Sequence, residues 1–272
     1  MSRYFEEVTN MSGQKRIALV TGASSGLGRE FARLLAKEPE VEELWLVARR
    51  RERLEALAQE LSVPCRVLAL DLTAEESFRT IAALLEESGA TVSYLVNAAG
   101  FGRIGLAEDI GAQVTGRLID LNCRAAAALT ELVLPYMAKG SHVIEIASCA
   151  AFQPIPYLAA YAASKAFLLS YSRALAAEVG SRGISITAVC PYWIRDTEFI
   201  DVAKQTDKAG LFKGFPFATT QKAVARRSLW AAEHGFTVFT PDPVSTLHRL
   251  VTAILPHSWM IALSNLWRKI AA

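Results

Sequence analysis

The stretch Thr21-Gly-Ala-Ser-Ser-Gly-Leu-Gly28 decides the fold, because it connects an apolar run at residues 17–20 to a segment of helical period at residues 27–36. Its glycines permit positive φ angles and close approach of the backbone, so amide N–H groups and the start of a helix can hold a pyrophosphate. A tight turn without any ligand could use the same residues. The order of strand, loop and helix favours dinucleotide binding.

Outside this stretch, short apolar runs alternate with longer segments of helical period. The runs predicted as strands are residues 17–20, 44–47, 67–70, 94–96, 143–146 and 184–189, with 236–240 as a seventh. The helical segments are residues 27–36, 52–61, 74–87, 114–137 and 160–181. This alternation predicts an α/β fold, a doubly wound parallel sheet of the Rossmann type with helices on both faces.

We expect a single domain over residues 1–272, because α/β folds of this length commonly form one domain. Residues 1–14 are predicted to be a short leader; their acidic residues do not suit a signal peptide, which favours a cytoplasmic protein. Residues 243–272 are predicted to be a helical extension interrupted at Pro256. The uncharged run within it is shorter than the ~20 apolar residues of a transmembrane helix, so no span is expected.

The charge balance and the cysteines argue against two classes of protein. Lys and Arg total 29 and Asp and Glu total 27, which leaves a formal net charge of +2 and no basic face for a nucleic acid. The cysteines form no CxxC pair or zinc-ligand set; they are Cys65, Cys123, Cys149 and Cys190. We expect reduced thiols and no metal site.

The second predicted strand ends in Val47-Ala-Arg-Arg-Arg51, without the acidic residue that binds the ribose hydroxyls of NAD. Arg49 or Arg50 could instead pair with the 2′-phosphate of NADP. A solvated basic helix start explains them less well, because arginines at a helix N-terminus oppose the helix dipole. The charge pattern therefore favours NADP(H), with NAD(H) as the alternative.

Tyr161 and Lys165 lie four residues apart near the start of a helical segment, so they share one face. A nearby ammonium favours the phenolate and lowers the pKa of tyrosine, as a general acid/base for an alcohol or a carbonyl requires. Ser148 follows the fifth predicted strand, at the sheet edge where open α/β sheets bind ligands. Its hydroxyl could hold the substrate oxygen.

Two asparagines stand at positions that need an explanation. Asn97 ends the fourth predicted strand at the same sheet edge. Asn122 lies within a helical segment, where an amide side chain is a poor helix former. A helix-interior hydrogen bond or an exposed polar position would also explain Asn122.

The order and spacing of these motifs resemble the short-chain dehydrogenase/reductase superfamily over roughly residues 15–240. The motifs are TGASSGLG at Thr21, Asp71-Leu-Thr, Asn97-Ala-Ala-Gly100, Asn122, Ser148 and Tyr161-Ala-Ala-Ser-Lys165. The resemblance implies an NAD(P)-dependent oxidoreductase in which Tyr161 is the catalytic acid/base and Ser148 polarises the carbonyl. Lys165 would bind the nicotinamide ribose and lower the pKa of Tyr161, and Asn122 would support a water-linked proton relay.

The resemblance also implies the residues that contact the cofactor. The glycine loop would line the pyrophosphate, Asp71 and Leu72 the adenine, and residues 97–100 the central part of the cofactor. The complete predicted set is Gly22, Ser24, Ser25, Gly26, Leu27, Gly28, Arg49, Arg50, Asp71, Leu72, Asn97, Ala98, Gly100, Tyr161, Lys165, Pro191, Ile194 and Thr197.

The sequence departs from the family pattern in two places. Ala98 follows Asn97 where the family has a second asparagine, a change expected to have little effect. After the sixth strand the family has Pro-Gly and then a threonine; here Tyr192 follows Pro191, and Thr197 comes one residue late. An aromatic side chain in place of glycine predicts a reshaped site wall rather than plain core.

In this family the substrate walls come from a lid, here residues 191–219, and from the C-terminus. The residues predicted to contact the substrate are Ser148, Tyr161, Tyr192 and Trp193, and the lid adds the aromatics Phe199, Phe212, Phe215 and Phe217. These apolar walls favour a lipophilic ketone or secondary alcohol, such as a hydroxysteroid or a fatty ketone. Some of the aromatics could instead pack the lid onto the domain.

Reversible hydride transfer between NADP(H) and such a substrate is therefore the leading hypothesis. The alternative is a regulatory module that binds NADP(H) without catalysis. The resemblance also implies a homodimer or homotetramer built on the helices at residues 114–137 and 160–181.

An apolar stripe in the extension consists of Trp259, Leu263, Leu266 and Ile270. This stripe could pack on the subunit, cover the substrate pocket or bury against another protomer. Peripheral adsorption to a membrane is a less favoured use.

Overall fold

The computed structural model describes residues 14–208, 210, 214 and 216–266, and the helical backbone of residues 267–271. Its strands are β1 (Arg16–Thr21), β2 (Glu43–Ala48), β3 (Cys65–Ala69), β4 (Thr91–Asn97), β5 (His142–Ile146), β6 (Ser185–Val189) and β7 (Val238–Phe239). They form one parallel sheet in the order β3-β2-β1-β4-β5-β6-β7. The predicted doubly wound α/β fold is confirmed.

Helices cover both faces of this sheet. They are α1 (Gly26–Leu35), α2 (Arg51–Glu60), α3 (Glu75–Ser88), α4 (Ala107–Ile110), α5 (Ala112–Ile119), α6 (Ala126–Val133), α7 (Ala159–Val179), α8 (Phe199–Lys204), α9 (Gln221–Glu233), α10 (Pro243–Ile254) and α11 (His257–Ala271). The predicted bounds of α1, α2, α3 and α7 agree with these to within two residues. The predicted break at Pro256 separates α10 from α11.

Strand β1 shows why the sheet is covered on both sides. Its side chains alternate between two cores, with Ile17 and Leu19 in one and Ala18 and Val20 in the other, and none of the four is exposed. A parallel strand buried on both faces needs apolar residues at successive positions, which explains the uninterrupted run in the sequence.

Several helical regions, among them α4, differ from the sequence prediction. The segment predicted as one helix at residues 114–137 is divided by a π-helical turn, Asp120–Ala125, and ends in a 3-10 turn, Leu134–Tyr136. Helix α9 is not predicted at all, although Thr220 caps it by accepting a hydrogen bond from N of Ala223. That cap was the local signal that could have identified the helix.

The glycine loop brings β1 and α1 very close together. A Cβ atom at Gly28 would lie 2.5 Å from O of Gly22, and Gly22 itself has φ +67°. Only a residue without a side chain allows this approach, which places the start of α1 directly beyond the end of β1.

Several sequence predictions fall on parts of the chain without a structural description. The predicted leader lies outside the described residues except for Gln14, and Phe212, Phe215 and the side chain of Ile270 also lie outside them. No described helix has the length and apolar character needed to cross a membrane. All four cysteines are free thiols, as predicted.

Gly28→Ala should destabilise the fold by about 1–3 kcal/mol, because the new methyl group overlaps backbone atoms of Gly22. The matched control is Gly116→Ala on α5, where a Cβ would meet no atom within 4 Å. That control should be neutral or about 0.5–1 kcal/mol more stable. Thermal unfolding of both variants measures the difference; equal stability would contradict the close packing of β1 and α1.

Candidate active site

A cavity of about 1040 Å³ lies along the carboxyl edge of the sheet. Its volume is at the upper limit of the roughly 300–1,000 Å³ typical of ligand sites. Residues at the ends of β1, β2, β4, β5 and β6 line it, as expected for an open parallel sheet. It therefore brings together segments that are far apart in the sequence.

The glycine loop forms one end of the cavity. Its lining residues are Gly22, Ser24, Ser25, Gly26 and Leu27. Ser25 is the N-cap of α1 but makes no side-chain hydrogen bond to the first turn, so it leaves the amides of that turn to another acceptor. Such a helix start suits a pyrophosphate. Gly28 does not line the cavity, and its role is the close packing of α1 on β1.

Basic side chains from the end of β2 extend this part of the cavity. Nη2 of Arg50 donates hydrogen bonds to Oγ of Ser24 at 3.0 Å and of Ser25 at 2.8 Å. Arg49 also lines the cavity, where it faces the predicted adenine residues Asp71 and Leu72. Burial raises the pKa of Asp71, but hydrogen bonds from Thr73 and the charge of Arg49 outweigh this and lower it.

Ser148, Tyr161 and Lys165 meet at the end of β5, and all three line the cavity. Oγ of Ser148 accepts a hydrogen bond from N of Ala150 at 3.1 Å. Nζ of Lys165 donates to O of Ile146 at 2.6 Å and lies 5.8 Å from the centroid of the Tyr161 ring. The structure thus brings the predicted catalytic residues together, with the lysine bonded to the strand rather than to the phenol.

The predicted lowering of the Tyr161 pKa is wrong for this structure. Burial raises the pKa of Tyr161, and a hydrogen bond with Ser148 only partly opposes that effect. Burial also lowers the pKa of Lys165 to about 8, although the nearby Glu145 carboxyl opposes this shift. Desolvation, which a sequence pattern does not report, is the largest influence on the pKa of Tyr161 and outweighs the hydrogen bond with Ser148.

Asn122 lies in the π-helical turn and is almost completely buried. Its Oδ1 accepts from N of Phe101 at 3.1 Å, and its Nδ2 donates to O of Phe101 at 2.9 Å and to Oγ of Ser164 at 3.1 Å. A Cβ at Gly100 would lie 3.0 Å from Oδ1 of Asn122 and 3.7 Å from Nζ of Lys165. The side chain is thus used in interior hydrogen bonds beside the lysine, and its part in a proton relay stays a prediction.

The side chain of Asn97 does not line the cavity, and a contact of this residue with the cofactor stays a prediction. Its Nδ2 points into the core and donates to Oε1 of Glu145 at 2.7 Å and to Oγ1 of Thr130 at 2.8 Å. The neighbouring Ala98 and Gly100 do line the cavity. The physical reason is that Asn97 satisfies a carboxyl group buried between β5 and α6.

That carboxyl belongs to Glu145, which is completely buried. Burial raises the pKa of Glu145 to about 7, although hydrogen bonds from Thr130 and Asn97 oppose the shift. Its Oε2 has no hydrogen-bond partner among the described residues. A buried acid therefore lies behind the strand end where the predicted catalytic residues meet.

The segment after β6 forms the opposite wall. Its lining residues include Pro191, Tyr192, Trp193, Ile194 and Thr197. The backbone N of Tyr192 donates to Oδ2 of Asp242 at 3.0 Å, so the wall is fixed by its main chain. Phe199 packs beside Trp193 and lies 5.4 Å from Tyr161, ring centroid to ring centroid. Phe217, in contrast, is 82% exposed and does not line the cavity.

The cavity also contains residues that the sequence pattern does not identify. Among them are Phe101, Arg103, Gln153, Glu198, His248 and Met260. They come from loops and from the C-terminal helices, so only the tertiary structure assembles them. Leu263 and Leu266 of the predicted apolar stripe also border the cavity, which favours a covering role for α11 among the uses considered for it.

Comparisons with known proteins agree with this geometry. A family model described as short chain dehydrogenase matches residues 16–208. The very-long-chain 3-oxoacyl-CoA reductase of Podospora anserina is 34% identical over 215 residues, 72% of this chain and 62% of that protein. The protein of the same name from Bos taurus is 28% identical over 259 residues, 89% of this chain and 76% of that protein.

Among solved structures, a short-chain dehydrogenase from Sphingobium yanoikuyae in complex with NADPH matches with a TM-score of 0.73 at 27% identity. The match covers 89% of this chain and 96% of that one.

Glu145→Gln should change how stability depends on pH. The folded-state pKa of about 7 lies above the ordinary value for Glu of ~4.3. Between these two pH values the folded protein keeps a proton on Glu145 that the unfolded chain releases. The resulting stability is complete below the ordinary pKa and is lost as the pH rises through 7. Glutamine keeps the shape without the charge, so the variant should exceed the wild type by up to about 3 kcal/mol at pH 8 and by little at pH 4.5.

Urea unfolding of both proteins at the two pH values measures this difference. Glu108→Gln, an exposed position on α4, is the control and should follow the wild type. If the free energy of unfolding depended on pH in the same way for wild type and Glu145→Gln, folding would not raise the pKa of the buried carboxyl, and the prediction would be wrong.

Proposed function

Because the chain belongs to the short-chain dehydrogenase/reductase family, and is thus an oxidoreductase acting on CH–OH groups, we propose that it transfers a hydride between NADP(H) and a lipophilic ketone or secondary alcohol. The observation that carries this proposal is the meeting of Ser148, Tyr161 and Lys165 in the cavity that also contains the glycine loop. A single cavity can then hold both reactants next to the acid/base group.

The residues of the cavity fit a nicotinamide dinucleotide. Gly22 and the start of α1 would hold its pyrophosphate, and Asp71 and Leu72 would lie at its adenine. Arg49 and Arg50, with no acid at the end of β2, favour the 2′-phosphate of NADP(H). The NADPH complex of the Sphingobium yanoikuyae neighbour supports this choice. When bound, the cofactor supplies or accepts the hydride.

The chain's own residues handle the proton. In the direction of reduction, the hydroxyl of Tyr161 donates its proton to the carbonyl oxygen, and Ser148 donates a hydrogen bond to the same oxygen. The ammonium of Lys165, one helical turn away, then stabilises the phenolate that remains. Burial of all three groups keeps bulk water from the reacting oxygen and strengthens these interactions.

The substrate portion of the cavity is apolar. Leu158 and Tyr161 belong to a buried cluster against which Phe101, Trp193 and Phe199 pack. Together with the 3-oxoacyl-CoA reductase names of two relatives, these walls favour a ketone or alcohol on a fatty chain, with a hydroxysteroid as the alternative. The second candidate function, an NADP(H)-binding module without catalysis, is disfavoured by the assembled catalytic residues.

We further propose a homodimer or homotetramer that uses α7. Phe167, which is 43% exposed, stacks on Tyr171 along this helix and gives it an aromatic outer surface. Aromatic side chains are enriched at protein interfaces. The cytoplasmic location remains a prediction from the sequence.

Tyr161→Phe should lower turnover of a reactive ketone by at least about 100-fold, because it removes the proton donor. The affinity for NADPH should change little, because the ring and the glycine loop remain. Loss of nicotinamide absorbance measures turnover, and a fluorescence titration measures binding. Tyr171→Phe on the same helix is the control and should keep wild-type turnover.

Near-wild-type turnover of Tyr161→Phe would exclude the proposed acid/base. A wild type that binds NADPH tightly yet acts on no member of a broad ketone and alcohol panel would support the binding module instead.

Tyr192→Gly should alter substrate preference more than stability. The change removes one aromatic side chain from the wall and keeps the backbone hydrogen bond to Asp242, so bulkier ketones should gain about tenfold in kcat/KM relative to small ones. The ratio of kcat/KM for a branched and an unbranched ketone, measured beside Tm, checks this. A lower Tm with an unchanged ratio would show that Tyr192 is ordinary core.

A further inference from the structure

Glu198 connects the cofactor end of the cavity to its substrate wall. It is the N-cap of α8, and its Oε2 pairs with Nη1 of Arg50 at 2.9 Å while its Oε1 pairs with Nη1 of Arg53 at 2.5 Å. Hydrogen bonds from Arg53 and Arg50 lower the pKa of Glu198, so the carboxylate is charged at neutral pH. A fixed negative charge therefore lies beside the arginine expected at the 2′-phosphate.

The guanidinium of Arg50 already makes hydrogen bonds on two sides. Its Nε and Nη2 donate to the hydroxyls of Ser24 and Ser25, and its Nη1 donates to Glu198. An arginine has five N–H donors, and a bidentate pair with a phosphate uses two of them along one edge. A phosphate at Arg50 must therefore displace the serine hydroxyls on one edge or Glu198 on the other, and in either case it shares the guanidinium with a carboxylate unless Glu198 leaves.

We propose that Glu198 is a specificity-determining residue that competes with the 2′-phosphate of NADP(H) for Arg50, and so sets the preference between NADP(H) and NAD(H). The inference rests on the proposed function, because it takes Arg50 as a partner of that phosphate. The carboxylate of Glu198 and the 2′-phosphate are both negative, so their repulsion at Arg50 weakens the binding of NADP(H). NAD(H) has a hydroxyl at the same position, and this hydroxyl can donate a hydrogen bond to the carboxylate of Glu198.

Glu198 also connects the cofactor preference to the substrate wall, because it lies next to Phe199 in the sequence. The next residue, Phe199, lies 5.4 Å from the ring of Tyr161, and a Cβ at Gly102 would lie 2.9 Å from its Cζ. A phosphate that releases Glu198 from Arg50 therefore loosens the start of α8 beside the catalytic tyrosine. In that case Glu198 still has its ion pair with Arg53.

The test is Glu198→Gln, with the Kd for NADPH and for NADH measured by fluorescence titration at low ionic strength. The Kd for NADPH should fall about twofold to fivefold, the range expected when one exposed ion pair is removed, while the Kd for NADH stays the same or rises. The change in the ratio should shrink at about 1 M salt, where the Debye length is ~3 Å.

The matched control is Glu55→Gln on α2, the helix that carries Arg53; it removes an exposed carboxylate from a 3.7 Å ion pair with Arg51. It should leave the ratio of the two Kd values unchanged. Weaker NADPH binding, or an equal change for both cofactors, in Glu198→Gln would overturn the inference and make Glu198 a simple lid contact. A wild type that binds neither dinucleotide would contradict the proposed function itself, which separates the two failures.

Discussion

The hydrogen bond from Nζ of Lys165 to O of Ile146 is the interaction on which the site depends. It joins α7 to the end of β5 at 2.6 Å, and the lysine that donates it is buried. A buried ammonium without a partner would be costly, so this bond fixes how far α7 extends over the sheet edge. This bond also sets the positions of Ser148 and Tyr161. Ser148 lies just past that strand, and Tyr161 lies one helical turn before the lysine.

Burial then decides the electrostatics of the site. It raises the pKa of Tyr161 and lowers that of Lys165, and it raises that of Glu145 on the other side of β5. Asn97 and Thr130 donate hydrogen bonds to the buried carboxyl, which links β4, β5 and α6 behind the predicted catalytic residues. The protonation of the site is therefore a property of the packed sheet edge rather than of the tyrosine and lysine alone.

Features set by local sequence were predictable, and features set by tertiary packing were not. The glycine loop, the buried strands and the Tyr161–Lys165 spacing depend on neighbouring residues, and their predicted places agree with the fold. The inward direction of Asn97 was missed because it depends on Glu145, nearly fifty residues away.

Long-range contacts explain the remaining differences. Glu198 and His248 enter the cavity only because the chain returns to the sheet edge after β6 and β7. The direction of the Tyr161 pKa was predicted incorrectly because the spacing identifies the charged neighbour but not the loss of solvent. The apolar stripe of α11 was predictable from the spacing of its residues, whereas its position at the cavity depends on long-range contacts and was not.

The reaction proposed for this sheet edge is hydride transfer from bound NADPH to a lipophilic ketone. The most direct test is to reduce a long-chain ketone with NADPH that carries two deuterium atoms at C4 and to analyse the product by mass spectrometry. One deuterium at the carbinol carbon is expected for each NADPH consumed. Product without deuterium, or NADPH consumption without alcohol formation, would contradict it.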